Sequence, residues 1–380
     1  MNALFDICHP AHFHLFRHAM KGLAESGQNL WVTARSKDVT VDLLRDAGVR
    51  PLFTSRPGRG KLGAVLEMVQ RDLRIWRVVR SSGIDLMVGT SPCISHVSRL
   101  SSARSVVFNE DDASVVPLFV RSTYPFADYI VTPRCLAHEG WGGKHVVHDS
   151  YHELAYLHPD VFTPDPTVLN ELGVERGEFY SIVRLSALAA HHDKGARGID
   201  EEGLREVVRV LRTRGRAFTS CEVGREADVP GLETLPLPAD RLHHALAFAG
   251  LYVGDSQTMT AEASVLGVPA LRCNSFVGRI SYLEELESRY GLTFGYRPED
   301  FSELLAKLRG LVGAQDLGGS WQRKRAVMLS EKISLSGWIL EFLSELSQSS
   351  SGVAGSSLPR GCPPRGTAPV AMDSVGRRGA

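Results

Sequence analysis

At 380 residues the chain is too long for one ordinary hydrophobic core and suits two domains. Its 43 Lys plus Arg balance 43 Asp plus Glu, so no whole-molecule field draws in nucleic acid or a membrane, which leaves only a local patch for either. Six scattered cysteines without a C-x-x-C exclude a disulfide frame or a zinc knuckle, and predict reduced thiols in a cytoplasmic protein. Asp6 and Arg17 break the N-terminus before a signal core forms, and no uncharged apolar run reaches the roughly 18 to 20 residues that spanning needs.

In chain order, "ALFDI" predicts a strand, Phe13, Phe16, Met20 and Leu23 mark one face of a helix stopped by Gly27, and "LWVTA" predicts the next strand. Val39, Leu43, Leu44 and Ala47 then give a helix closed by Gly48. A Gly/Arg-rich loop "SRPGRGKLG", a helix through Trp76, and the strands "DLMVGT", "SVVFN" and "DYIVTP" complete the first half. "LHPDVFTPDPTVLNELG" interrupts this rhythm with three prolines and marks the domain boundary. Strand and helix alternate again through "FYSIVRL", Glu201 to Arg214, "RAFTSCE", "RLHHALAFAG", "LYVGD", a helix through Glu262, and "PALRCN".

The pattern predicts two doubly wound α/β domains of Rossmann type, residues 1–160 and 161–325, facing a cleft. A helix over 326–346 is expected to return to the first domain. The Ser/Gly/Pro-rich stretch 347–380 has too few large apolar residues to offset its ordering entropy and is expected to be disordered. Ligands in such sheets sit beyond the carboxyl ends of the strands, so the loops there hold the candidate residues.

In "LYVGDSQTMTAEASVLGVPAL" a strand runs into Asp255, Ser256, Gln257 and Thr258, and a helix follows with Glu262 one turn in. Unpaired amides and the helix dipole at such a turn suit a diphosphate, and the Glu262 carboxylate suits a pair of ribose hydroxyls. The competing explanation is structural: Ser256 or Thr258 caps the helix and Glu262 faces water. In "ICHPAHFHLF" His12 and His14 follow the first strand, where an imidazole near its ordinary pKa accepts a proton from a hydroxyl, or else caps or packs. Arg184 ends a strand with a fork of donors for phosphate, and otherwise makes a surface ion pair. His191, His192 and Asp193 follow it. "FNEDDAS" offers Glu110, Asp111 and Asp112 as base or hydroxyl acceptor, or as a solvated acidic turn, while His148, His152 and Glu153 read as buried packing near the hinge. Without a close-spaced H-x-x-x-H or a cysteine cluster no metal is expected, and without G-x-G-x-x-G no dinucleotide cofactor.

Residues 255–269 resemble the "DSGG…EEA…LG.P" segment of the non-hydrolysing UDP-sugar 2-epimerases and, more loosely, GT-B glycosyltransferases. Asp255, Ser256, Glu262, Ala263, Leu266, Gly267 and Pro269 match that segment, and Gln257 with Thr258 replace its two glycines. The motifs "FDICHPAHFHLF", "VFNEDDAS", "ELAYLHPDVFTPDP", "IVRLSALAAHHDKGARGI" and "GDSQTMTAEASVLGVPAL" together resemble a bacterial and archaeal domain-of-unknown-function family of GT-B-like proteins. The resemblance implies a GT-B-like fold with a nucleotide-sugar, such as a UDP-sugar, on the second domain through Arg184, Asp255, Ser256, Gln257, Thr258 and Glu262. His12, occupying a place similar to the acceptor-side histidine of the lipid II glycosyltransferase, implies a catalytic face on the first domain with His14 and Asp111, and His191 and His192 of the second domain are the further catalytic candidates. The implied function is sugar transfer to an acceptor in polysaccharide or glycolipid synthesis, which leaves room for peripheral association with a membrane. Nucleotide-sugar 2-epimerisation and non-catalytic binding of a nucleotide-sugar are the alternatives.

Overall fold

The computed structural model describes residues 1–36, 39–58, 60–185, 198–220 and 229–349. The first sheet is built from β1 (Asn2–Ile7), β2 (Asn29–Arg35), β3 (Thr54–Ser55), β4 (Leu86–Gly89), β5 (Arg104–Phe108), β6 (Tyr129–Pro133) and β7 (His145–His148). They lie in the order β3-β2-β1-β4-β5-β6-β7, every neighbouring pair parallel. The second sheet takes β8 (Tyr180–Arg184), β9 (Arg216–Thr219), β10 (Leu232–Thr234), β11 (Leu251–Gly254), β12 (Ala270–Cys273) and β13 (Thr293–Tyr296). Its order is β10-β9-β8-β11-β12-β13, again all parallel. Parallel strands need crossover helices on both faces, which is why β4, β8, β11 and β12 are nearly continuous apolar runs.

The helices of the first half are α1 (Pro10–Glu25), α2 (Thr40–Asp46), α3 (Gly60–Ser82), α4 (Pro92–Ser98) and α5 (Pro117–Thr123). The second half adds α6 (Thr167–Leu172), α7 (Glu201–Leu211), α8 (Leu242–Phe248), α9 (Gln257–Leu266), α10 (Ser281–Ser288) and α11 (Phe301–Gly313). Two more, α12 (Leu317–Glu331) and α13 (Leu335–Ser349), end the described chain. The starts are written locally: His9 Nδ1 accepts from Ala11 N at 3.2 Å with Pro10 next, and the Asp200 carboxylate accepts from Gly203 N at 2.8 Å. Gly267, at φ +76°, stops α9 in the left-handed conformation.

Three sequence expectations shift. The Gly/Arg-rich segment is loop only as far as its middle, because α3 already begins at Gly60. The single helix expected over 326–346 is two, broken at Lys332–Ser334, where Ile333 N donates to Asp149 O (2.9 Å) and Ser150 Oγ to Ile333 O (2.6 Å). Helix α13 then lies on α1 so closely that a Cβ on Gly22 would stand 2.7 Å from Leu340 Cδ2. It runs to Ser349, past the expected start of the tail, and residues 350–380 lie outside the described residues. Among the described residues no helix is long and apolar enough to cross a membrane.

Candidate active site

In each sheet the strand order reverses between two neighbours, β1 and β4 in the first, β8 and β11 in the second, which opens a crevice at their carboxyl ends. His12 lies at the first of these crevices, and Arg184, Asp255 and Ser256 lie at the second. At the first, the three imidazoles of "CHPAHFH" go three ways. His9 caps α1. His12 Nε2 lies 2.7 Å from Thr90 Oγ1, beyond β4, and its Nδ1 is 3.3 Å from Cys8 N. His14 turns toward the second domain, its ring 5.1 Å from that of Tyr156 and 5.1 Å, edge-on, from that of His243 on α8. Burial, then the nearby His243, holds the His14 imidazole well below its usual pKa, and its Nδ1 is buried without a hydrogen-bond partner.

At the second crevice Asp255 N donates to Arg184 O (3.2 Å), joining the ends of β11 and β8. Arg184 Nη1 donates to Ser220 O at 2.9 Å and Oγ at 3.2 Å, past β9. Asp255 is buried, and Asn274 Nδ2 donates to its carbonyl at 2.8 Å. Ser256 Oγ accepts from Met259 N at 3.3 Å and so caps α9, as the structural explanation required, while its hydroxyl proton remains a donor. Gln257 and Thr258 are half-buried in the first turn. His191 and His192, with Asp193, lie outside the described residues.

Glu262 does not face water. It is 5% exposed, and its Oε1 accepts from Tyr156 OH at 2.8 Å and lies 3.0 Å from His243 Nε2. The Glu262 carboxylate is therefore fixed by two partners that sequence reasoning left unassigned. Tyr156 follows the crossing between the sheets and His243 sits on α8, so this cluster of His14, Tyr156, His243 and Glu262 joins both halves.

Beside it lies a set of buried acids. Glu110 follows β5, and its Oε2 stands 3.3 Å from His152 Nδ1 without hydrogen-bond alignment. Glu153 is 1% exposed and its Oε2 has no partner; neither has His152 Nε2. Burial, with the charge of Asp111, pushes the Glu110 carboxyl well above the ordinary range, and burial, with the charge of Glu110, does the same to Glu153. Glu262 raises both further. Burial raises Asp111 too, although His152 opposes it, and burial lowers His152 to about 4. Asp111 itself is held in a tight turn, its carbonyl accepting from Asn109 Nδ2 at 2.6 Å. Burial thus raises the carboxyls and lowers the imidazole of this cluster, and it leaves polar atoms of Glu110, His152 and Glu153 without partners, which a ligand rich in hydroxyls would satisfy.

His148 plays the packing role its sequence context suggested: it is fully buried, stacked 6.1 Å from the His152 ring and 5.4 Å from Trp338 on α13. Asp112 leaves the acidic set altogether. Its Oδ2 accepts from Ser281 N at 2.7 Å and its Oδ1 from Ser281 Oγ at 2.6 Å, closing one edge of the cleft. Among the described residues no group of three His, Cys, Asp or Glu side chains is arranged to hold a metal ion.

No family model matches the chain, and no curated protein matches it. The resemblance to the domain-of-unknown-function family therefore rests on the motifs. Solved structures do match. An assigned UDP-N-acetylglucosamine 2-epimerase of Listeria monocytogenes has a TM-score of 0.71 at 13% identity, over 95% of this chain and 99% of its own. The UDP-GlcNAc 2-epimerase of Methanocaldococcus jannaschii, solved with UDP-GlcNAc and UDP, has a TM-score of 0.68 at 11% identity, over 92% of this chain and 100% of its own. A glycosyltransferase of Rickettsia africae gives 0.59 at 11% identity, over 92% and 98%. The fold is thus GT-B-like, two Rossmann-type domains facing a cleft, as the sequence pattern predicts.

Proposed function

We propose that this chain binds a nucleotide-activated sugar, a UDP-sugar foremost, in its interdomain cleft and performs acid–base chemistry on the sugar, inverting the carbon next to the anomeric centre. The observation that carries this reading is the pair Glu110 and Glu153, both buried and incompletely hydrogen-bonded, with the charge of Glu110 raising Glu153 and that of Glu262 raising both. Two carboxyls coupled in this way give up their protons in separate steps, which provides one base and one acid in the same pocket. The base takes the proton from the sugar carbon as the C–O bond to the diphosphate breaks. Return of a proton to the opposite face, with re-addition of the diphosphate, completes the inversion without any net change in composition.

The nucleotide in this reading lies on the second domain. Amides of Gln257 and Thr258 and the hydroxyl of Ser256 meet the diphosphate at the positive end of α9, aided by Arg184 at the end of β8. Glu262 keeps Oε1 for Tyr156 and His243 and offers Oε2 to the ribose. Side chains at Gln257 and Thr258, where the similar segment has glycines, hold the diphosphate farther from the backbone. Asp255 supports the turn from below.

A second reading, transfer to an acceptor, has its own observation: His12, held by Thr90 at the first crevice, is placed as a base for an acceptor hydroxyl. Incubation with UDP-N-acetylglucosamine in heavy water, followed by proton NMR, distinguishes the readings. Epimerisation gives the C2 isomer and deuterium at C2 without any acceptor. Release of UDP that requires an acceptor, with no deuterium uptake, replaces epimerisation by transfer, and binding of UDP without turnover across a panel of donors leaves a binding protein.

A further inference from the structure

Helix α3 carries an apolar stripe that nothing among the described residues covers. Leu62, Val65, Leu66, Val69 and Leu73, spaced i, i+3, i+4, i+7 and i+11, fall on one face and are each between 45% and 88% exposed. The opposite face is a core face: Glu67, Arg71, Ile75 and Val79 are buried. The helix is therefore buried on one side and apolar on the other, and among the described residues that outer side has no partner over a length of about 17 Å. Leu100, 71% exposed, continues the surface, because its carbonyl accepts from Trp76 Nε1 at 3.3 Å.

The charges around the stripe are of one sign. Arg74, Arg77 and Arg80 are exposed, Arg80 lying 5.0 Å over the Trp76 ring. The two acids of the helix are already engaged: Glu67 is buried on Arg35 at 2.6 Å, and Asp72 Oδ2 lies 2.9 Å from His96 Nδ1. Glu67 also accepts from Ser55 Oγ at 3.0 Å, which fixes the N-terminal half of α3 at the carboxyl ends of β2 and β3, on the cleft side of the first domain.

We propose that this face of α3 docks the protein, in the plane of the interface, on an anionic lipid surface. An apolar stripe flanked by arginines without competing acids is complementary to acyl chains beneath negative headgroups. A second copy of the chain fits less well, because a two-fold contact offers only the same patch, which holds Arg74, Arg77 and Arg80 and no exposed acid of α3 to meet them. The inference is independent of the chemistry proposed for the cleft.

The test is sedimentation of the full chain with vesicles of phosphatidylglycerol or of phosphatidylcholine, at low and high salt. Binding is expected to phosphatidylglycerol, weakening with salt, and at least about tenfold weaker to phosphatidylcholine. A Leu66→Ser/Val69→Ser/Leu73→Ser variant changes only exposed side chains, so it should keep its near-ultraviolet circular dichroism and lose vesicle binding. Arg74→Gln/Arg77→Gln/Arg80→Gln should lose the salt-sensitive part. Three results overturn the proposal: no binding of the native chain to phosphatidylglycerol, unchanged binding by the serine variant, or a dimer seen by light scattering that the serine substitutions dissolve.

Discussion

The Glu153 carboxyl is the clearest case of a residue whose burial is costly to the fold. Its Oε2 has no partner, and burial together with Glu110 raises its pKa well above the ordinary carboxylate range. Because the folded-state value is raised, Glu153 favours the fold fully below about pH 4, and that contribution is lost as pH rises through its folded pKa. A glutamine there cannot titrate. Glu153→Gln should therefore gain stability over the native chain as pH rises from 5 to 8, reaching about 1 to 3 kcal/mol, the usual cost of an uncompensated buried polar group. Thermal unfolding of both proteins across that range checks it; a gap that stays constant with pH means the carboxyl is not held neutral by its surroundings. The same variant removes one of the two acid–base groups proposed for turnover, so stability and activity should move in opposite directions.

Among the elements, α10 depends on the other half of the molecule. Its own N-cap position, Ile280, provides no side-chain hydrogen bond, and Asp112, in the loop after β5, supplies the cap instead. Asp112→Ala should cost about 1 kcal/mol in urea unfolding and, unlike an ordinary lost cap, increase the radius of gyration in small-angle scattering, because the cap also joins the domains. An unchanged radius with lower stability would reduce Asp112 to a local cap. This contact also shows what the sequence conceals. Strands such as "LYVG" and "LMVG" are legible because burial on both faces writes them as apolar runs, and α1 is legible from Phe13, Phe16, Met20 and Leu23. Strands β3 and β10 carry too few residues for a period to register, and β7 (HVVH) and β13 (TFGY) mix polar with apolar residues and so do not read as buried runs. The site was half legible: Glu262 stands out by its place after a strand and a polar turn. Its partner Tyr156 is 106 residues away and Ser281 is 169 from Asp112, separations at which no local pattern survives. The three N-terminal imidazoles were grouped by proximity in the sequence, yet the 3.6-residue turn of α1 sends His12 and His14 to different neighbours.

At the scale of the whole molecule, the two chain crossings lie side by side and are tied to α10. Tyr151 OH donates to Glu285 Oε2 at 2.8 Å, and Lys332 Nζ stands 3.0 Å from the same oxygen. Any motion of the domains about these crossings would change the distance between the two crevices, which the Glu262 cluster spans with His14 from one half and His243 from the other. A nucleotide that engages Glu262 should bind the joined arrangement and stabilise the entire chain by mass action, about 2.7 kcal/mol at a hundredfold excess over its Kd. The two substitutions at this position separate ligand contact from architecture. Glu262→Ala leaves the Tyr156 hydroxyl and the His243 ring without their acceptor, so its melting temperature should fall even without ligand, and its affinity for UDP by well over tenfold. Glu262→Gln retains a carbonyl oxygen for those two donors but no charge for a ribose, so it should melt near the native temperature without ligand and still lose most of the UDP-induced rise. Calorimetric titration with UDP and thermal unfolding of the three proteins decide the matter: a glutamine variant that binds UDP as the native chain does would confine Glu262 to holding the domains together and move the nucleotide elsewhere in the cleft.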